Sequence, residues 1–425
     1  MIDFIILASL LVFIIIGMPI FLALALVSFM YMISADISLM VIPQVMSGTF
    51  RNFVLLAIPL FMLAGKLMNS GGITSRLFNL ANGVVGHITG GLAQVNVLLS
   101  IIFAGMSGSA LADTAGLGEV EIKTMVDKGF DREFAAAITA ASGSIGPIIP
   151  PSIIMVIFGS MSGVSIGGLF LGGIIPGLIM GLGMMVVNYF ICKKRNYPTN
   201  DKAPTFKELI KLFYKGIPPL LTPIIILGGI ILGIFTPTEA ALVASVYSFV
   251  LLFFIYKELT VSIIFKDLIE VIKTTSSIMI IIAFASVFAR VITQQGVPQQ
   301  IASFLTSITT NEILLLLIIN IFLLILGCFM DVIAALIATI PILLPIVDIL
   351  PITRLHFGVV MILNLTIALI TPPMGASLFV VTKIAKTNLE DTFVALLPYL
   401  AVLIFVLLLI TYVPPLVTFL PNLLM

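Results

Sequence analysis

Apolar residues run along this chain in stretches long enough to cross a lipid bilayer, and short polar intervals separate them. A hydrocarbon core needs about 20 consecutive apolar residues. The pattern predicts ten spans, at 3–16, 19–34, 52–69, 133–158, 164–191, 217–234, 238–256, 275–292, 356–382 and 392–412. The first two are short, and residues 2–34 also read as one tilted helix. Two further segments, 88–127 and 312–350, carry small and polar residues at their centres and predict re-entrant helical hairpins; two ordinary spans with a polar kink is the competing reading of each. Segments 36–51 and 257–273 mix apolar and polar positions and predict interfacial amphipathic arms. The expected fold is therefore an all-α integral membrane protein.

The polar punctuation occurs twice at matched places. The first half reads GMSGSALAD from Gly105 and SGSIGPIIPPS from Ser142; the second reads GCFMD from Gly327 and NLTIALITPPMG from Asn364. Gly105 and Gly327 are 222 positions apart, and so are Pro150 and Pro372. A bilayer tolerates broken backbone only where the break is buried or lines a cavity. Paired interrupted helices in corresponding halves point to the binding site of a carrier.

Basic residues orient the spans. With the N-terminus outside, 17 of the 20 lysines and arginines fall on inner loops and only Arg51, Arg290 and Arg354 fall outside. That asymmetry obeys the positive-inside rule. Five crossings per half make the second half inverted relative to the first. The predicted units are a first repeat over 1–191, an inner linker over 192–216 and a second repeat over 217–425, with both termini outside. The opening run MIDFIILASLLVFIII has no basic leader region and is expected to stay as a first helix.

Composition removes other classes. Of 425 residues 60% are hydrophobic and 9% charged, far below the one quarter usual in soluble domains, and net charge +1 suggests no nucleic-acid partner. Cys192 and Cys328 are too few for a metal cluster, His87 and His356 stand alone, and no serine has a triad-like histidine. No G-x-x-x-x-G-K-[ST] loop is present, so the chain carries no visible ATP-driven engine.

The breaks themselves offer chemistry. Ser107, Gly108 and Ser109 sit at the first hairpin tip, and Ser142, Gly143, Ser144, Gly146 and Pro147 interrupt the helix at 133–158. Pro147 has no N–H to give the Gly143 carbonyl, so that oxygen is expected to be free. Hydroxyl and carbonyl oxygens suit a hard cation, and half-helix N-termini suit an anion. Close helix packing by small residues is the rival reading. In the second half Gly327 marks the tip, Asp331 stands where Ser109 stands in the first, and Asn364, Thr366, Thr371, Pro372, Pro373 and Gly375 mark the break. An Asp at mid-membrane costs about 2.5–3.5 kcal/mol on insertion scales. Its readings, in order, are cation ligand, wet rim charge and proton carrier. Asp113 reads equally as a cap or a site residue, and the run from Glu119 to Glu133, Glu121 included, as a solvated face. Thr236-Pro-Thr-Glu239 reads as a helix start. A Na+-coupled organic-anion symporter leads; a passive anion channel and an intramembrane enzyme using Asp113 and Asp331 are the alternatives.

The blocks SGSALADTAGLG, DKGFDREFAAAITAASGSIGPIIPPSIIMVIFG, TPTEAALVA, GCFMD and FGVVMILNLTIALITPPMGASLFV resemble the large membrane subunit of tripartite ATP-independent periplasmic (TRAP) transporters over nearly the whole chain. The resemblance implies an elevator-type carrier with a scaffold and a moving transport domain, in a bacterial inner membrane with periplasmic termini. It implies two or more Na+ ions and no organic cofactor, a separate small four-helix membrane subunit, and a periplasmic substrate-binding protein. Carried over by position, one Na+ site involves Ser107, Ser109, Gly143, Gly146 and Pro147. The other involves Gly327, Ala368, Thr371 and Met374, Ala368 standing where a glycine is common. Gly108, Ser144, Asp331, Asn364, Thr366, Pro373 and Gly375 are left for substrate or a further cation. Carboxylates such as sialic acid, other sugar acids or C4-dicarboxylates are the implied substrates, and small hydroxyl-bearing tips favour a sugar acid.

Overall fold

The computed structural model describes residues 9–10, 12–14, 16–70, 72–199 and 203–425, so most of the expected span at 3–16 lies outside the described residues. Every regular element among the described residues is helical. The first half contains α1 (Ile20–Ser34), α2 (Val41–Phe50), α3 (Ala57–Ser70), α4 (Ile73–Val85), α5 (Gly91–Ser107), α6 (Ala110–Asp127), α7 (Arg132–Gly143), α8 (Ile153–Ser162) and α9 (Ile166–Arg195). The second contains α10 (Phe206–Ile231), α11 (Pro237–Val250), α12 (Val261–Gln294), α13 (Val297–Ile308), α14 (Glu312–Gly327), α15 (Val332–Val347), α16 (Arg354–Ala368), α17 (Ala376–Ala385), α18 (Leu389–Tyr412) and α19 (Pro415–Leu424).

Each expected hairpin segment holds two helices joined by a short turn, α5–α6 and α14–α15, and each Pro-Pro segment lies in a break between two helices, α7 and α8 and then α16 and α17. By length and composition four helices can cross a membrane (Ile166–Arg195, Pro237–Ile255, Val261–Gln294 and Leu389–Tyr412), and joining two bent pairs gives up to six. The broken helices fall short because each is two pieces. Two boundaries differ from the sequence reading. The arm at 257–273 and the span at 275–292 are one helix, α12, because no Gly or Pro interrupts 261–294. The linker shrinks at both ends, since α9 runs to Arg195 and α10 begins at Phe206 behind a capping box of Thr205 and Glu208. The first arm is distinct: α2 meets the helix through Phe53–Asn69 at 56°. Thr236 and Glu239 form the expected capping box at the start of α11.

The helices pack in two groups. α11 lies on α3 and α10, and α12 lies on α1, α2 and α3. The hairpins and broken helices pack among themselves, with α9 and α18 against them. The halves of the broken helices exchange partners: α8 packs on α15 and α16, while α17 packs on α6 and α7. Gly173, Gly177 and Gly181 form a one-sided stripe on α9. A Cβ added at each would lie 2.0 Å from Ile148 O, 2.4 Å from Ile149 Cγ1 and 2.4 Å from Ile101 Cδ1. Small residues at four-residue spacing let helix backbones approach closely. Here they seat α9 against the first break.

Candidate functional site

The first hairpin turns at Ser107-Gly108-Ser109. Gly108 is left-handed, with φ 62°, and an added Cβ would lie 2.4 Å from Pro151 O, so only glycine fits. Ser109 caps α6, its Oγ accepting from Ala112 N–H at 3.4 Å. Ser107 Oγ donates to Asp113 Oδ1. Asp113 is 2% exposed, and its Oδ2 has no hydrogen-bond partner. The space beside Oδ2 belongs to Gly146, where an added Cβ would lie 2.6 Å from Oδ2 and 3.3 Å from Gly143 O. At Gly143 an added Cβ would lie 2.4 Å from Thr114 Oγ1. Ser107, Asp113, Thr114, Gly143 and Gly146 therefore converge where the hairpin tip meets the break. A buried carboxylate oxygen with no donor is costly unless a cation answers it or the carboxyl takes a proton, and oxygens with the first turn of α6 beside them are what the site offers. Oxygen-bearing residues from both elements therefore face one another here.

Other expectations are adjusted. The Gly143 carbonyl accepts from Gly146 N–H at 3.1 Å, so the residue three positions on replaces the donor that Pro147 lacks. One lone pair remains. Pro147 lies in the run of turns between α7 and α8. Ser144 Oγ donates to Ala141 O at 2.5 Å, turned back onto its own helix.

The second junction is built mostly of backbone. Gly327 ends α14 against the second break, and an added Cβ would lie 2.5 Å from Ala368 Cβ. Met374 N–H donates to Cys328 O at 3.2 Å, tying the break loop to the hairpin turn. Within that loop Thr371 N–H donates to Ala368 O at 3.1 Å, Gly375 N–H to Thr371 O at 3.2 Å, and Thr371 Oγ1 to Ile367 O at 2.9 Å. Gly375 is buried and starts α17, while Pro373 and Met374 are exposed. Asp331 caps α15, Oδ1 accepting from Ile333 N–H at 2.9 Å and Ala334 N–H at 3.4 Å. Asp331 is exposed rather than held among ligands, and with Met374 it lines a crevice of about 910 Å³ between the second hairpin and α1 and α12.

Asn364 and Thr366 lie in the body of α16, away from its loop. Asn364 Nδ2 donates to Asn320 Oδ1 at 2.8 Å and to Asn320 O at 2.9 Å, and Asn320 Nδ2 donates to Thr411 Oγ1 at 3.1 Å. Thr366 Oγ1 donates to Ile362 O at 2.6 Å. A matching fastening holds the first hairpin. Asn96 Nδ2 donates to Glu121 Oε2 at 2.7 Å and Thr139 Oγ1 at 2.8 Å, and Ser142 Oγ donates to Asn96 Oδ1 at 2.7 Å. Glu121 is 1% exposed, so it is not part of a solvated face. Asn96, Asn320 and Thr139 escaped the sequence reading. The signal was helical spacing: Asp113, Leu117 and Glu121 share one face of α6 and Asn96 and Ser100 one face of α5, opposite Thr139 and Ser142.

The TRAP transporter family model described as "Tripartite ATP-independent periplasmic transporter, DctM component" matches residues 7–416. The chain belongs to this family. The sialic acid TRAP transporter large permease protein SiaM of Vibrio cholerae is 44% identical over 408 residues, covering 96% of this chain and 95% of that one. The C4-dicarboxylate large permease DctM of Pseudomonas aeruginosa is 42% identical over 374 residues, covering 88% and 87%. The 2,3-diketo-L-gulonate large permease YiaN of Escherichia coli is 38% identical over 403 residues, covering 95% of each. Among solved structures, the YdaH transporter of Alcanivorax borkumensis has the same fold, with TM-score 0.65 at 14% identity and 86% of each chain covered. This DctM-family chain is thus a membrane transporter subunit and not an enzyme, one component of a three-part system.

Proposed function

We propose that the chain is the permease of a Na+-driven symporter for an organic anion, with a sugar acid the favoured substrate. A periplasmic binding protein delivers the anion, and a small four-helix membrane subunit completes the complex. The observation that carries this reading is the partnerless, buried Asp113 Oδ2 over Gly146, at the tip of a hairpin whose counterpart recurs at Gly327 and Ala368. In this reading one Na+ takes Asp113, Ser107 and backbone oxygens near Gly143, and a second takes backbone oxygens around Gly327, Ala368, Thr371 and Met374. The hairpins and broken helices move as one unit against α1–α3 and α10–α12, and the two halves are inverted repeats. Relatives named for sialic acid, C4-dicarboxylate and 2,3-diketo-L-gulonate support a carboxylate as cargo.

Two Na+ with one monoanion move one net charge, and a potential of about 100 mV then supplies about 2.3 kcal/mol. Tenfold accumulation requires about 1.4 kcal/mol, so the potential alone sustains more than tenfold. The test is uptake of sialic acid, gluconate and succinate by proteoliposomes holding all three components. A steep dependence on external Na+ is expected. Uptake that persists unchanged in potassium buffer refutes the coupling.

A further inference from the structure

The seam between the two helix groups holds a second cavity, of about 580 Å³, that no role above uses. One wall is α2 and α12; the other is α8, α15 and Arg354 at the start of α16. Its size falls in the range of small-molecule sites. Its lining is polar for a position between membrane helices. Thr49, Asn52, Ser160, Ser286, Thr293 and Arg354 all contribute. Thr49 Oγ1 donates to Val45 O at 3.0 Å, Ser160 Oγ to Ile157 O at 2.9 Å and Ser286 Oγ to Ile282 O at 2.8 Å. With their protons committed, these hydroxyls present lone pairs. Pro345, also in the lining, has no N–H to give the carbonyl of Pro341, a lining residue too, adding an acceptor. Asn52 spends its oxygen on Val54 N–H at 3.1 Å, which leaves its amide nitrogen as the donor end. A ligand rich in hydroxyl protons answers such a wall, whereas a lipid tail gains nothing from it.

Charge points the same way. Arg354 binds Asp348 through Nε and Nη2, both at 2.6 Å, and gives Nη1 to Ser162 O at 3.1 Å, so its charge is largely met. Arg51 directly precedes the lining residue Asn52, and Arg290 directly follows the lining residue Ala289. Both are exposed and make no ion pair among the described residues. The three basic residues that the charge pattern leaves outside are therefore all within one position of this cavity. Two exposed arginines next in the chain to lining residues, with no ion pair among the described residues, attract an anion and raise its local concentration. Ser286 and Thr293 are seven residues apart on α12, a depth of about 10 Å.

We propose that this cavity is an outer loading site for a hydroxylated carboxylate of sugar-acid size, occupied before the anion reaches the hairpin junctions. It rests on the reading of the chain as an anion symporter with residues 51, 290 and 354 outside. Because its walls belong to different helix groups, a ligand there touches both.

The test uses the full three-component transporter in right-side-out vesicles, with Cys192→Ala and Cys328→Ser in the permease and Ser286→Cys or Thr49→Cys added. Each variant is first shown to accumulate substrate. A membrane-impermeant methanethiosulfonate should label both cysteines from outside, and millimolar sialic acid or gluconate should slow labelling at least threefold, with or without Na+. Sulfate should slow it far less. As a second measurement, Thr49→Val with Ser286→Ala should raise KM for uptake about tenfold and leave kcat within twofold. Labelling that neither sugar acid slows, in vesicles that still take them up, overturns the loading site and leaves symport standing. Protection by sulfate as strong as that by sugar acids overturns the ligand class. Absence of labelling overturns the outward opening, and absence of Na+-dependent uptake of any anion by the wild-type complex overturns the symport reading beneath.

Discussion

Asp113 and Gly146 show how a single missing side chain creates a site. The carboxylate reaches Gly146 only because that residue has no Cβ, and Asp113 Oδ2 would otherwise meet a methyl at 2.6 Å. Gly146→Ala is expected to displace the carboxylate, raising the Na+ concentration for half-maximal uptake at least tenfold while the protein still folds and reconstitutes. Uptake against Na+ concentration, with size-exclusion profiles for folding, checks this. Asp113→Asn keeps an acceptor for Ser107 but removes the charge. It should reduce Na+-driven accumulation by at least tenfold and leave sugar-acid protection at the outer cavity intact. Asp331 behaves differently, because its Oδ1 is already committed to two amides of α15. Asp331→Asn preserves a capping oxygen and should change melting little, whereas Asp331→Ala should cost about 1 kcal/mol as a lost helix cap, read by thermal unfolding in detergent.

At the scale of elements, each hairpin is pinned to its broken helix by an asparagine, Asn96 to Ser142 and Asn320 to Asn364. Removing Asn96 strands Glu121 Oε2 and takes a donor from the Thr139 hydroxyl, while Ser142 Oγ keeps Ser100 and the Thr139 carbonyl, and each buried polar group left unmade costs about 1–3 kcal/mol. Asn96→Leu should therefore unfold or lower melting sharply, while Asn96→Gln, with the same amide one methylene longer, should fall between. The join at Arg76 is different in kind. Its guanidinium grips Glu258 with bonds of 2.7 and 3.2 Å, Gly72 N–H adds one of 2.6 Å, and the Arg76 guanidinium carbon lies 3.9 Å from the Tyr256 ring centroid. Chiefly through Arg76, the Glu258 carboxyl is held below its ordinary value of 4.5. A folded-state value depressed in this way stabilises above the unfolded value and is lost as pH falls through the folded one. Arg76→Ala should cost about 1 kcal/mol near neutral pH, discounted for partial exposure. The difference from wild type should begin to shrink as the pH falls below 4.5 and go on shrinking toward the lower folded-state value, as melting curves between pH 7 and pH 3.5 will show.

For the whole molecule, the question is whether the hairpins move against the other helices. Gly105 of α5 faces Pro223 of α10, and an added Cβ would lie 3.1 Å from Pro223 Cβ. That separation needs only a small adjustment to accept a disulfide. Gly105→Cys with Pro223→Cys, in the background without native cysteines, should lose transport on oxidation and regain it on reduction. Full transport with the bond quantitatively formed means that α5 does not shift relative to α10, and the moving-unit reading fails. The two cavities of about 910 and 580 Å³ lie along the same seam between helix groups, where such a shift would open and close space.

Local chemistry made much of this legible. Gly108, the Pro-Pro pairs and the T-P-T-E start dictate turns, breaks and caps wherever they occur, because a missing Cβ, a missing N–H or a well-placed hydroxyl acts within a few residues. The 222-residue recurrence likewise marked both junctions before any fold was known. What the sequence could not decide was which side chains meet. Glu121 sits in a charged run, yet helix packing buries it on Asn96; Asp331 matches Ser109 in register, yet Asp331 is exposed while Asp113 is buried with its Oδ2 unpaired. The arm at 257–273 merged with its neighbouring span because a helix without Gly or Pro has no local reason to stop. Burial, pairing and cavities depend on residues hundreds of positions apart, and only the tertiary packing of α5 to α9 and α14 to α18 sets them.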